Sequence, residues 1–267
     1  MAAALLALPW PTRQAPTVAV SLAPEFVALP ASTTFRVVTR AEIPEGWHIG
    51  WTHPGQTGLP TTLAWRVSPG ITVGSTAWPF PERMDSGGAV SHIYRGVALI
   101  ATSFTVSADA PARPVDLVAE VRWGICREIC VPQERQLRIS LPIVGGARTP
   151  EGSPDWPGVR SVLDATLPIE PEDVGLVAQA DPQGIRLVAP RGSPRLRGAA
   201  TGRLVFFPED SSRAAVAVVV QPRVTAAGLV VPVGLPRNSR VAGVLVSERP
   251  WGAPGTSRAL RIAVSAP

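Results

Sequence analysis

Short apolar runs, many alternating with polar residues, dominate this chain and predict strands rather than helices. From Thr17, "TVAVSLAPEFVALP" and "TTFRVVTRAEIP" read as an opening pair of strands. "GWHIGWTHPGQTGLPTTLAWRV" then gives a strand, a Gly/Pro-rich loop and another strand. "GITVGSTAWPFPERMDSGGAVSHIYRGVALIATSFTV" supplies two or three more, with a loop near Glu82–Gly88. In "PVDLVAEVRWGI" the residues Leu117, Ala119, Val121 and Trp123 fall on one side, Glu120 and Arg122 on the other. Leu137, Ile139 and Leu141 alternate in the same way in "RQLRISLPIV". About eight strands at short turn intervals predict an immunoglobulin-like β-sandwich over residues 17–145.

"GGARTPEGSPDWPG" breaks the pattern and marks a linker over residues 146–167. A short helix is expected in it, capped by Ser153 or Asp155, with Pro157 in its first turn and Val159, Val162 and Leu163 on one face. Residues 168–267 return to the β style. "GIRLVAP", "GRLVFFPED", "AAVAVVVQP", "GLVVPVGL", "VAGVLVSE" and "ALRIAVSA" are six expected strands of a second sandwich, which contains neither Cys nor His. The fold class is therefore all-β, two tandem sandwiches, which suits 267 residues against a usual domain size of roughly 100–150.

Composition adds exclusions. The 30 prolines and 24 glycines fit a chain of strands and turns, and 45% hydrophobic residues allow a sizeable core. The net charge is +5, and all 25 basic residues are Arg, scattered without a basic stripe or a recognition helix, which argues against a nucleic-acid partner. The richest apolar run, "AAVAVVV", stops at Gln221-Pro222, far short of the ~18 residues of a membrane span, so no transmembrane segment is expected. Residues 1–16, with an apolar stretch but no basic residue before it, read as an export-signal remnant or as a start codon placed too late.

The chemistry concentrates in "WGICREICVPQE", which holds both cysteines of the chain, Cys126 and Cys130. They sit at the crown of the last expected hairpin, close enough for a bridge. Three readings are open. A structural disulfide is weakened by the tiny loop it would close. Zinc is suggested by the spacing of His48 and His53 beside that of the cysteines. The two pairs are far apart, however, and residues five apart on a strand face opposite ways. A redox-active dithiol is the third; Arg122 and Arg127 nearby would favour a thiolate and Glu128 would oppose it.

The succession "EGWHIGWTHPGQTGLPTTLAW", "WPFPERMDSGGAVSHIYRGVALI" and "VRWGICREICVP" resembles the N-terminal periplasmic domain of the DsbD and ScsB thiol–disulfide interchange proteins. The "HPGQTGLPT" loop and the C-x-x-x-C-x-P turn bring it closer to the ScsB-like branch. The resemblance implies a periplasmic location and a protein-disulfide reductase component that needs no metal or organic cofactor. Its implied partners are a membrane electron carrier and thioredoxin-like periplasmic proteins. It implies that Cys130 attacks the partner disulfide and Cys126 resolves the mixed disulfide. A cap loop is implied at Glu82, Arg83, Met84, Asp85, Ser86, Gly87 and Gly88, with Met84 and Asp85 at its tip. Trp47, Trp51, Trp123 and Tyr94 are candidates to support the thiol pocket, with plain burial in the sandwich as the alternative. The membrane part and thioredoxin-like domain of full interchange proteins are absent from these residues, so either those parts are expected to be encoded separately or the chain is a free-standing periplasmic relative whose reductant is another protein. The rival reading is a non-catalytic exported adaptor with a structural bridge.

Overall fold

The alternation of the first block resolves into β1 (Ala19–Pro24), β2 (Phe26–Pro30), β3 (Thr34–Glu42), β4 (His48–Gly55), β5 (Thr62–Val67) and β6 (Ile71–Ala77). These are followed by β7 (Glu82–Ser86), β8 (Ala89–Tyr94), β9 (Val97–Val106), β10 (Val115–Cys126), β11 (Cys130–Leu141) and β12 (Ile143–Val144). The computed structural model describes residues 15–144, 149–189, 202–209, 217–225, 228–233, 240–252 and 254–265. Residues 1–14 of the expected export-signal remnant, residue 145, residues 146–148 of the linker and the opening of "AAVAVVVQP" lie outside them.

Two sheets face each other. One has the order β1-β3-β9-β6; the other runs β11-β10-β4-β8-β7, with β5 also paired to β10. The inward side of β10 is the one the sequence predicts: Val115, Leu117, Ala119, Val121, Trp123 and Ile125 are all buried. Val115 and Leu117 meet Phe35, Val37 and Phe104 across the sandwich, and Ala119, Val121, Trp123 and Ile125 pack with Ala41, Ile43 and Ile49. Phe35 stacks on Phe104 at 5.5 Å between ring centroids, and Trp65 meets Phe104 edge-on at 4.9 Å. Each such fully buried side chain contributes about 1.5–3 kcal/mol of transfer free energy.

After β12 the chain pairs back onto β2 through β13 (Glu151–Gly152). Helix α1 (Trp156–Thr166) then packs Trp156 and Leu163 against Val38, Leu99 and Ala101 of the first block. Asp155 occupies the N-cap position without a side-chain cap bond, and Pro157 lies in the first turn. The core-facing stripe is buried Trp156, half-buried Val159 and buried Leu163, at i, i+3 and i+7. Val162, expected on that face, stands 44% exposed because its position falls on the other side of the helix.

The second block contains β14 (Val177–Asp181), β15 (Gly184–Val188), β16 (Leu204–Pro208) and β17 (Val218–Val220). They continue with β18 (Arg223–Thr225), β19 (Gly228–Val231), β20 (Arg240–Ser247) and β21 (Ala259–Ser265). Its sheets, β14-β15-β19-β18 and β17-β16-β20-β21, enclose Leu187, Phe206, Leu229, Leu245, Leu260 and Ile262. All six expected strands are present, with β14 and β18 in addition. The chain is all-β with packed sheets in both blocks, and α1 is its one α-helix among the described residues.

The two blocks share a core. Phe207, Ala217, Val244 and Ala259 belong to the same buried cluster as Ile49, Trp51 and Tyr94. Phe207 meets Trp51 at 6.3 Å and His92 at 5.3 Å, both edge-on. A polar clamp fixes the contact. The Ala217 N–H donates to His92 Nε2 at 2.8 Å, and Arg83 Nε donates to the Ala217 carbonyl at 3.1 Å. Because Nε2 accepts, Nδ1 carries the imidazole proton and donates it to the His53 carbonyl at 2.6 Å.

This clamp makes the interface acid-sensitive. Burial lowers the His92 pKa below 6.5; the His53 carbonyl works against that shift, and the charges of His53 and Arg83 add to it. The unfolded chain therefore binds the proton more readily, so the stability from a neutral His92 is whole above pH 6.5. It declines as pH falls through the lower folded value. The melting temperature is expected to drop between pH 7.5 and pH 5, and His92→Gln to show a smaller drop by differential scanning calorimetry. Identical pH dependence in both proteins would exclude the clamp as the cause.

Candidate functional site

The last hairpin places the cysteines. β10 and β11 pair without a register break from Val115↔Leu141 to Cys126↔Cys130. Arg127, Glu128 and Ile129 then cross the crown, where the Arg127 N–H donates to the Ile129 carbonyl at 3.2 Å. The cysteines are directly opposite, with Cα atoms 4.1 Å apart, and their sulfurs are bridged. Three residues suffice to turn the chain, which is why the spacing is so short.

The two sulfur-bearing residues differ sharply in access. Cys126 is 3% exposed, while Cys130 is exposed. Ile129 beside it is 73% exposed, a large apolar side chain at the crown's outermost point. By alternation Cys126 shares its side of the sheet with Gly124, opposite to the inward Trp123 and Ile125. A strap lies across that outer side. A Cβ on Gly50 would sit 2.2 Å from the Leu59 carbonyl oxygen, and one on Gly124 would sit 2.8 Å from the Leu59 Cβ. The two glycines, on adjacent strands, thus form the bed on which Gly58, Leu59 and Pro60 rest. Thr61 pins one end, its hydroxyl donating to the Gly50 carbonyl at 2.6 Å. The Gln56 N–H pins the other to the Val90 carbonyl at 2.9 Å, helped by the Thr57–Ser91 hydroxyl pair.

Leu59, Pro60 and Thr62 face Trp123, Pro132, Gln133 and Glu134 across a groove of about 570 Å³ beside the crown. Arg122 on its rim is engaged by Glu120 and by Glu134 at 3.3 Å, so its charge is tied to carboxylates rather than free for a thiolate. Leu59→Ala is expected to speed alkylation of Cys126 in the reduced protein several-fold while leaving Cys130 unchanged. Peptide mass spectrometry after timed iodoacetamide treatment checks this.

The residues of the expected cap are placed differently. Glu82–Ser86 is strand β7, closed onto β8 through the two-residue turn Gly87-Gly88. Both glycines have positive φ, +57° and +82°, as tight hairpin turns with right-handed strand twist require. Met84 and Asp85 are not at a tip; they pair with Ser91 and Val90 within the ladder. Register fixes the hairpin's direction. Cys126 is opposite His48, Ile49 is opposite Tyr94, and Ile93 is opposite Glu82. The hairpin's base therefore lies at the cysteine end of the sheet and its Gly87-Gly88 tip at the other. Arg83 turns to the second block, as the clamp shows. The segment over the outer face near Cys126 is the Gly58–Pro60 strap.

The aromatic candidates separate as well. Tyr94 is buried on the inner side and its hydroxyl donates to the Pro79 carbonyl at 2.7 Å, with burial pushing its pKa up. Trp51 belongs to the contact with the second block. Trp47 is half-buried against the first core. Trp123 lies beneath the cysteine hairpin, its Nε1 donating to Gln133 Oε1 at 3.1 Å; Gln133 Nε2 in turn donates to the Pro16 carbonyl at 2.9 Å. Among the described residues no three His, Cys, Asp or Glu side chains form a metal-binding group, and no helix there is long and apolar enough to cross a membrane. His53 points into the inter-block contact beside Trp51, whereas His48 is the cross-strand partner of Cys126. That placement, and the Leu59 strap, are the features the sequence reading missed.

Residues 14–142 match the sequence family described as thiol:disulfide interchange protein DsbD, N-terminal. Among solved structures, the N-terminal periplasmic domain of ScsB from Proteus mirabilis aligns over 97% of this chain and 97% of that chain, at 15% identity and a TM-score of 0.55. The Neisseria meningitidis DsbD n-terminal domain in its reduced form aligns over 45% of this chain and 86% of that one, at 19% identity and a TM-score of 0.29. No curated protein sequence matches the chain. The first block thus matches the DsbD N-terminal family, and the likeness to the ScsB domain, which runs through both blocks, is one of fold.

Proposed function

We propose that the first block is a periplasmic thiol–disulfide exchange domain. It relays electrons between a membrane or thioredoxin-like reductant and periplasmic oxidoreductases through the Cys126–Cys130 pair. The observation that carries this reading is the unequal exposure of two directly bridged cysteines at a protruding crown. Exchange proceeds through attack on, or by, the accessible sulfur, and its partner must wait out of reach until the mixed disulfide forms. An exposed Cys130 and a covered Cys126 suit those two roles. In the forward direction the Cys130 thiolate attacks a partner disulfide, one partner thiol leaves, and Cys126 then displaces the second while closing the Cys126–Cys130 bond. The partner is reduced and this pair oxidised.

The exposed Ile129 and the groove between Leu59 and Pro132 supply apolar surface for docking on either side of Cys130. Trp47 and Trp123 act by packing beneath the hairpin and holding its crown in place. Residues 17–145 are the exchange domain; residues 168–267 act as a docking or scaffolding domain joined by the 146–167 linker. A bridge four positions apart closes too short a loop to stabilise the fold much by itself.

The redox midpoint of the pair tests this directly. Equilibration in graded redox buffers, followed by alkylation and mass spectrometry, is expected to give a value within the roughly −120 to −270 mV range of thiol–disulfide oxidoreductases. A midpoint well below about −300 mV would mark a structural bridge and favour the adaptor reading.

A further inference from the structure

We propose that His48 is the acid–base group of the buried cysteine, taking the Cys126 proton when the pair closes and returning it when the pair opens; this rests on the exchange reading above. The placement comes from register. Cys126 and His48 are direct cross-strand partners of β10 and β4, so their side chains leave the sheet on the same face with Cβ atoms roughly 4.5–5.5 Å apart. The next outward pair along the same strands is Gly124 and Gly50, covered by Leu59. The space next to Cys126 on its own face is thus bounded by the strap on one side and by His48 across the ladder.

A buried thiol needs such a neighbour. Burial disfavours the thiolate, yet only the thiolate can displace the partner's sulfur. His48 is half-buried. Burial first, and the charge of Arg95 second, hold its pKa below 6.5, so at neutral pH it is an unprotonated imidazole with a lone pair to offer. Arg95 at the end of β8 is itself engaged by Glu82 of β7 at 2.8 Å. The other charges on the neighbouring segments, Glu45 before β4 and Arg127 and Glu128 at the crown, are exposed. His48 is the titratable side chain opposite Cys126 in the ladder.

The step balances. In the mixed disulfide, Cys130 is bonded to the partner's sulfur and Cys126 is a thiol. His48 accepts the thiol proton and becomes imidazolium. The Cys126 sulfur attacks the Cys130 sulfur, the Cys126–Cys130 bond forms, and the Cys130–partner bond breaks with its electron pair on the partner sulfur. The departing thiolate takes a proton from the imidazolium or from water. Run backwards, His48 takes a proton from the incoming partner thiol or from water, the partner sulfur attacks exposed Cys130 and opens the bridge, and the imidazolium so formed protonates the Cys126 thiolate that leaves. The same residue serves either direction of electron flow.

The test is single-turnover mixing of the reduced protein with one equivalent of 5,5′-dithiobis(2-nitrobenzoate), followed as thionitrobenzoate release from pH 5 to 9. Attack by Cys130 gives the first equivalent and closure by Cys126 the second. His48→Gln is expected to slow the second phase about tenfold or more at pH 7 and to remove the inflection below pH 6.5, with the first phase unchanged. His48→Asn, a smaller amide that is likewise no base, is expected to do the same, and an unchanged melting temperature in either variant separates loss of the base from loss of packing. A second phase with wild-type rate and pH profile in both variants overturns the proposal, and so does equal slowing of both phases. If the wild-type protein releases no second equivalent, the exchange reading itself fails, whatever His48 does.

Discussion

Cys126→Ala is expected to accumulate a mixed disulfide with a disulfide-bonded partner or probe, and Cys130→Ala to accumulate none. Non-reducing electrophoresis of each reduced variant with an oxidised thioredoxin-like protein reads the outcome. The prediction follows from access rather than from the order of the cysteines. In the bridged state the buried residue is Cys126 and the exposed one Cys130. A partner's bulky disulfide can approach only the crown's open side, where Cys130 and Ile129 stand. Removing Cys126 deletes the resolving thiol and leaves the first covalent product with no internal exit. Removing Cys130 leaves a buried thiol, 3% exposed, at a site where burial also depresses its thiolate fraction. The difference should be nearly all-or-none. Equal trapping by the two variants would mean that the crown opens widely in the reduced state, and that the buried position of Cys126 does not assign the roles.

Much of this site was legible in the sequence because its placement is local. The alternation through Leu117, Ala119, Val121 and Trp123 sets which side of β10 is buried. It carries by simple counting to the outward Cys126, and a three-residue gap in an antiparallel pair leaves the cysteines opposite one another. The seat of the strap was not legible, because it depends on two glycines distant in sequence, Gly50 and Gly124, lying side by side under Leu59 of a third segment. Nothing in either strand's own pattern says that a loop will rest there. The "HPGQTGLPT" stretch stands out as a motif, but its seat beside the cysteine hairpin appears only once β4 and β10 are paired.

The misplaced cap has a related cause. "SGG" is a compact turn signal, and the run from Glu82 to Tyr94 has the length of a hairpin. The direction of that hairpin depends on register across three strands, which no local pattern encodes. The same holds for His92, whose burial reflects a second block more than a hundred residues later in the chain, arriving through Phe207 and Ala217.

Gly50→Ala should test the strap with a large effect from one methyl group. The added Cβ would lie 2.2 Å from the Leu59 carbonyl oxygen and 3.1 Å from its carbon. Both are backbone atoms and cannot step aside by changing rotamer. Gly50 has no positive φ, so the penalty is the clash and not the backbone conformation. Lifting the strap would break the Thr61–Gly50 hydrogen bond and uncover the outer face beside Cys126. Overpacking of this kind costs about 1–3 kcal/mol. At about 2–4 °C per kcal/mol for a chain of this size class, the melting temperature should fall on the order of 5 °C. Cys126 in the reduced protein should then become readily alkylated, while Cys130 should react as before. Gly158→Ala in α1 is the control: nothing lies within 4 Å of its added Cβ, and it should melt no lower than wild type. If Gly50→Ala loses stability but keeps Cys126 protected, the strap is a structural brace and something else shields the thiol. Loss of both together would make Gly58–Pro60 the cover that keeps the resolving cysteine from stray oxidants between encounters.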